Sequence, residues 1–182
     1  MPRKSRPASP GSPPDIESMI RVDHAGEYGA VRIYEGQLAV LGGHGSTARA
    51  AIAHMAEQEQ RHLTAFDQLV IERHVRPTLL APLWQVTGFV LGAATAMLGE
   101  KVAMACTAAV EEVIDEHYAA QVSRLGDSEP KLRATIEAFR AEEVAHRDTA
   151  LAHGANEAPG YPLLSTAIKA GCRLAIKLSE KL

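Results

Sequence analysis

The stretch "EQEQRHLTAF", residues 57–66, decides the fold. It places Glu59 and His62 three residues apart in a segment of helical periodicity, so both fall on one helix face. A single Glu-x-x-His is weak evidence, because a chain of 182 residues with 8 His yields roughly one by chance. Its surroundings give it weight. The stripe of this segment runs Ile52, Met55, Glu59, His62, Phe66, Leu69, and a stripe of that kind faces a core. A carboxylate in the middle of such a stripe is costly unless it is paired or ligates a metal.

Three other segments carry comparable stripes. Ile20, His24, Glu27, Val31, Tyr34, Leu38 and Leu41 step by four and three. Leu132, Ile136, Phe139, Glu143, His146 and Ala150 do the same, and Met104, Thr107, Glu111, Ile114, Tyr118 and Leu125 do so more loosely. The stretch "EEVAHRD" supplies a second Glu-x-x-His, Glu143 with His146. Each pair has a Glu 32 residues upstream, Glu27 before Glu59 and Glu111 before Glu143. The set therefore repeats at an offset of 84 (27 to 111, 59 to 143, 62 to 146), and Ile52, Met55 and Tyr34 map onto Ile136, Phe139 and Tyr118. This register sorts the neighbouring acids. Glu57 reads as a surface partner for Arg61, four residues on, and Glu112 and Glu142 read as solvated.

Four Glu and two His, spread over two Glu-x-x-His helices and two single-Glu helices, form the arrangement of di-iron and di-manganese carboxylate bundles. Carboxylate oxygens bridge two metals and suit higher oxidation states, while each imidazole adds one neutral ligand and leaves positions open for dioxygen. Four carboxylates also balance two divalent cations in a dry core. The competing reading is a set of buried ion pairs, but the stripes hold too few Lys or Arg to match four acids. The candidate metal ligands are thus Glu27, Glu59, His62, Glu111, Glu143 and His146.

The rest of the chain agrees with a helical domain. Hydrophobic residues make up 46% and aromatics 4%, alanine is abundant, and β-branched runs are few. The net charge of −3, with no basic stripe interleaved with aromatics, argues against nucleic-acid binding. Cys106 and Cys172 lack a metal-type spacing and read as small buried side chains of a reduced compartment. The first 14 residues, "MPRKSRPASPGSPP", read as a disordered tail, too Pro-rich for an amphipathic presequence. Residues 15–182 read as one all-α domain. Asp15 caps a helix that reaches Leu41 and stops at Gly42-Gly43. A second spans residues 46–76 and ends at Pro77, a third spans 100–125, a fourth runs from Ser128-Glu129-Pro130 to Gly154, and a last one covers 162–181. Short loops make two hairpins, and residues 77–99 provide the long crossover between them.

That crossover holds 23 residues without a formal charge, including Trp84 and Phe89. Its prolines and glycines make it a poor membrane span, and a span would separate the two hairpins and prevent the metal site from assembling. It reads as a surface apolar segment that docks on a membrane or admits a lipophilic substrate, with core packing as the alternative. On the last helix Lys169, Arg173, Lys177 and Lys181 recur every four residues, suiting an anionic lipid surface or a merely solvated face.

The stretches "RVDHAGEYGA", "AMACTAAVEEVIDEHY" and "AGCRLAIKLSEKL", with both Glu-x-x-His motifs, resemble the demethoxyubiquinone monooxygenase family over residues 18–182. The resemblance implies a ferritin-like four-helix bundle with an extra C-terminal helix. It carries the family's two-iron ligands onto the six residues that the repeat selects. It also implies hydroxylation of a polyprenyl methoxy-methyl-benzoquinone ring, with O2 and electrons from NADH. No Gly-rich dinucleotide fingerprint is present, so NADH must bind without a Rossmann fold or act through the quinone. The resemblance implies the second route, with electrons passing through the quinone to the iron. The enzyme is expected peripherally on an inner membrane, at the bacterial cytoplasmic face or, alternatively, the mitochondrial matrix side. A lipid-binding accessory protein is implied by the family, and a homo-oligomer is left open.

Around the ligands, Tyr118 lies seven residues after Glu111 on the same face and is a candidate to touch the site, the alternative being a core tyrosine. His117 is a candidate hydrogen-bond partner of a ligand carboxylate. Asp23 and Arg21 are candidates for ion pairs nearby. His24 reads as a satisfied core histidine, and His54, His74 and His153 have no role assigned. Rival readings are a ferroxidase on the same fold, a rubrerythrin-type peroxidase, whose added Cys-x-x-Cys domain is missing, and a membrane-surface scaffold with a vestigial metal site.

Overall fold

A computed structural model describes residues 15–42 and 46–182; the expected tail over residues 1–14 lies outside them. Asp15 accepts a hydrogen bond from Ser18 N at 3.1 Å and starts α1 (Ile16–Val40). Ser46 Oγ accepts from Arg49 N at 3.2 Å and starts α2 (Thr47–Glu72). Such caps satisfy orphan N–H groups and contribute about 1 kcal/mol each. Then follow α3 (Ala81–Met97), α4 (Glu100–Leu125), α5 (Pro130–Ala152), a 3₁₀ turn (Ala155–Glu157) and α6 (Tyr161–Ser179). Pro82, Pro130 and Pro162 stand in first turns, where a missing N–H leaves no bond unmade. Among the described residues there is no strand, and the all-α class stands.

α1 pairs with α2 and α4 with α5, as the short loops require, and the two hairpins enclose a shared interior. α4 is the central element. From Val102 to Glu111 every residue is buried, because α5 and α6 flank it while α3 touches its start. This explains its loose stripe, since a helix covered on several sides needs no single apolar face. Two apolar clusters bracket the middle of the bundle. One gathers around Tyr34, Ile52, Met55 and Met104, the other around Ile20, Phe66, Leu125 and Ile136.

Two expectations are corrected here. α2 ends at Glu72 rather than Arg76, ahead of Pro77. His74 takes a left-handed conformation (φ 53°), with Val75 N donating to Val70 O at 3.0 Å and His74 N to Ile71 O at 3.3 Å. That is the 6→1 and 5→2 pattern that closes a helix, normally built on Gly, and buried Val75 adds its apolar contact. No helix is expected within the crossover, yet residues 81–97 form α3 along α1. Gly88, Gly92 and Gly36 make this approach possible. A Cβ on Gly92 would collide with the Ile33 carbonyl oxygen, and one on Gly36 with that of Phe89. The opposite face of α3 leaves Leu83, Val86 and Val90 exposed, and Leu79, Met97 and Leu98 extend that apolar surface at its two ends. Among the described residues no helix is long and apolar enough to cross a membrane.

α6 lies on α4, near α1. The four-residue basic repeat on α6 is partly consumed there: Lys169 pairs with Glu112 at 2.6 Å and Arg173 with Glu116 at 2.9 Å. Lys177 and Lys181 form no ion pair among the described residues. Glu112, expected to be solvated, is therefore half-exposed and paired.

Candidate metal centre

All six residues singled out by the repeat meet in the middle of the bundle, each at most 2% exposed. Glu27 comes from α1, Glu59 and His62 from α2, Glu111 from α4, and Glu143 and His146 from α5. They form two groups of four: Glu27, Glu59, His62 and Glu143, and Glu59, Glu111, Glu143 and His146. Within each group the ligand atoms lie within 4.8 Å of one another. Glu59 and Glu143 belong to both, so the geometry is that of two adjacent sites with two shared carboxylates.

The polar atoms point at common centres rather than at one another. His62 Nδ1 is 3.0 Å from Glu143 Oε1 and 3.5 Å from Glu27 Oε2. His146 Nδ1 is 3.0 Å from Glu59 Oε1 and 3.2 Å from Glu143 Oε2. None of these contacts is aligned as a hydrogen bond. Glu27 Oε2, Glu111 Oε2, both oxygens of Glu59 and Glu143, and Nδ1 of each His are buried without a hydrogen-bond partner among the described residues. Eight such atoms in one dry space would each cost about 1–3 kcal/mol or more if nothing met them. A pair of divalent cations satisfies them all, so the donor set fits two metal ions.

The electrostatics agree. Burial first, then the mutual repulsion of the carboxylates, hold Glu59 well above the usual carboxylate range. Burial does the same for Glu111, with the Glu143 charge adding to it, and Glu143 is raised mainly by burial. Burial opposes a charge on His62, yet Glu143 and Glu27 outweigh it and lift the imidazole to about 10. Burial lowers His146. Positive charge is what this space favours.

Two tyrosines hold the outer carboxylates in a crossed pattern. Tyr34 donates to Glu111 Oε1 at 2.6 Å, and Tyr118 donates to Glu27 Oε1. The sequence marks Tyr34 only as a counterpart of Tyr118, and the missed signal was that a repeat of ligands should extend to what holds them. His117 is not beside a ligand carboxylate. Its Nε2 lies 3.1 Å from Asp23 Oδ1, which also accepts from Gln121 Nε2 at 2.7 Å. Arg21 turns elsewhere, its Nε donating to Arg76 O at 2.9 Å. His24 is held by Asp67 at 2.9 Å. Arg61 reaches Glu142 at 3.3 Å, not the Glu57 carboxylate, and Glu142 is only part-exposed.

Beside the cluster lies an apolar cavity of about 570 Å³ between α1, α3, α4 and α6. Ile33, Trp84, Leu91, Val110 and Ile168 are among its walls. Gly26 and Val110 line it immediately before Glu27 and Glu111, so the cavity runs beside the turns that carry those ligands. Cys172 also lines it, and burial pushes that thiol up to about 11 and the enclosed Cys106 thiol to about 12. Both stay protonated and weakly nucleophilic.

An all-α bundle with a central set of four Glu and two His defines the class: the ferritin-like carboxylate bundles. Within that class the family is specific. A family model described as "Ubiquinone biosynthesis protein COQ7" matches residues 14–179, and the chain belongs to that family. It is 57% identical over 175 residues to the 3-demethoxyubiquinol 3-hydroxylase of Rhodospirillum rubrum, covering 96% of this chain and 82% of that protein. It is 51% identical to the human NADPH-dependent 3-demethoxyubiquinone 3-hydroxylase, mitochondrial, covering 92% and 78%. To the 5-demethoxyubiquinone hydroxylase, mitochondrial, of Saccharomyces cerevisiae it is 40% identical, again covering 92% and 78%.

Proposed function

We propose that the protein is a di-iron 3-demethoxyubiquinone 3-hydroxylase. It adds one oxygen from O2 to the ring of a polyprenylated quinone, with electrons from a reduced nicotinamide. The observation that carries this reading is the pair of four-residue groups sharing Glu59 and Glu143 in a dry bundle beside a large apolar cavity. Glu27 and His62 would hold one iron and Glu111 and His146 the other, with Glu59 and Glu143 in reach of both. When bound, the irons supply the redox chemistry by which dioxygen is activated. Tyr34 and Tyr118 fix the outer carboxylates, Tyr34 donating its hydroxyl proton to Glu111 and Tyr118 to Glu27.

The cavity takes the prenyl chain, and its apolar walls exclude water from the ring and the cluster. The exposed apolar residues of α3 and α6, Val86, Val90, Leu163 and Leu174, dock on the inner membrane that holds the quinone. The nicotinamide is NADH on the sequence reading, and the human relative's name specifies NADPH. Electrons would be delivered by the reduced quinone itself, which needs no dinucleotide fold.

The test is a turnover assay. Protein loaded with ferrous iron receives NADH or NADPH, air and a short-chain demethoxyquinone, and mass spectrometry looks for one added oxygen. The product should appear, and it should vanish without iron and in Glu143→Ala, which also loses bound iron. Oxidation and retention of iron with no quinone product would replace this reading with the ferroxidase one.

A further inference from the structure

The repeat at an offset of 84 continues behind the ligands. Gln58 precedes Glu59 and Glu142 precedes Glu143, and 58 and 142 differ by the same 84. These two side chains meet the far sides of the two imidazoles. Glu142 Oε2 lies 3.3 Å from His62 Nε2, and Gln58 Oε1 lies 3.2 Å from His146 Nε2. Gln58 Nε2 donates to Glu142 Oε2 at 2.7 Å. A carboxylate accepts only, so this bond fixes the Gln58 amide with its nitrogen toward Glu142 and its oxygen toward His146. Both rings turn Nδ1 to the cluster, so each Nε2 carries the ring proton and donates outward. The result is one connected chain, His146 to Gln58 to Glu142, with His62 on the same carboxylate.

At the matched ligand and tyrosine positions the two halves pair like with like: Glu27 with Glu111, Glu59 with Glu143, His62 with His146, Tyr34 with Tyr118. At 58 and 142 the chemistry differs. His62 donates to a carboxylate and His146 to a neutral amide. A hydrogen bond to an ionised acceptor is roughly twice as strong as a neutral one, and it raises the basicity of the ring nitrogen that faces the metal. Arg61, which also reaches Glu142, is itself 60% exposed and offsets this only weakly.

We propose that Glu142 and Gln58 are positioning residues that make the two metal sites unequal, the Glu27/His62 site holding a divalent cation more tightly than the Glu111/His146 site. The inference rests on the di-metal reading above.

Titrating metal-free protein with Co(II) in a calorimeter tests it. The wild type should bind two ions in two resolved steps. Glu142→Gln, which keeps size and shape, should weaken the tighter step about 10–100-fold and leave the other within about twofold. The exchange variant Gln58→Glu/Glu142→Gln should restore two steps, and its tight step should survive His62→Ala but be lost in His146→Ala. A structural role for Glu142 would not be restored by that exchange. Two equal steps in the wild type, or Glu142→Gln leaving both steps unchanged, would overturn the inference while leaving the di-metal reading intact. Failure to bind Co(II) at all would overturn both.

Discussion

Gly29 sits on α1 two residues after Glu27, on the cavity wall, and a Cβ there would meet nothing within 4 Å. The space beside it belongs, on the reading above, to the substrate. Gly29→Leu should fill part of that space without disturbing the cluster. Its helix propensity exceeds that of Gly by up to about 1 kcal/mol, so the fold is not weakened. The quinone KM should rise roughly tenfold, consistent with the 1–3 kcal/mol that one misfit group costs in an apolar pocket. Bound iron should be unchanged. An unaltered KM would place the substrate elsewhere. Residues of this kind are hard to read from sequence, because a glycine on a helix gives no sign of what its bare surface faces. The six ligands were legible for the opposite reason: costly side chains on apolar stripes, repeated in register. Glu142 and Gln58 kept the register but left the stripe, so Glu142 passed as a solvated acid.

At the scale of the element, α3 shows how tertiary contact overrides local preference. A helix with glycines at 88 and 92 loses about 1 kcal/mol at each relative to Ala. The sequence therefore reads as an irregular apolar crossover, and only the partner helix shows why glycine stands there. The carbonyl of Ile33 sits where a Gly92 side chain would begin. Gly92→Ala should push α3 from α1 and destabilise the protein by about 1–3 kcal/mol. By the usual scaling that lowers Tm by roughly 3–10 °C. Gly171→Ala, where a Cβ meets nothing within 4 Å, is the control and should hold or raise Tm. Equal melting temperatures for the two variants would mean that α3 can slide off α1 without cost. The end of α2 carries the same lesson. Pro77 is a visible stop, but the chain turns earlier, at a left-handed His74 where Gly is the usual residue.

For the whole molecule, the cluster couples stability, pH and metal. In the metal-free protein Glu59, Glu111 and Glu143 are raised from the ordinary value of 4.5 by burial and by one another. His62 is raised from 6.5 to about 10, the neighbouring carboxylates outweighing burial. A group whose folded pKa exceeds its unfolded one binds more protons when folded. Its contribution is complete below the unfolded value and fades as pH rises through the folded one. His146, lowered by burial, acts in the opposite sense, but it stands alone against four. Chelated protein should therefore melt at a lower temperature at about pH 8 than at about pH 6. Metal binding works the other way, since its ligands must shed protons and affinity grows with pH. The gain in Tm on adding Fe(II) under argon, or Mn(II) in air, should thus widen between those two values. Thermal melts of chelated and loaded protein, followed by far-ultraviolet circular dichroism, measure both slopes at once. A gain that stays constant or narrows as pH rises would mean that the added metal binds at some surface other than these buried carboxylates.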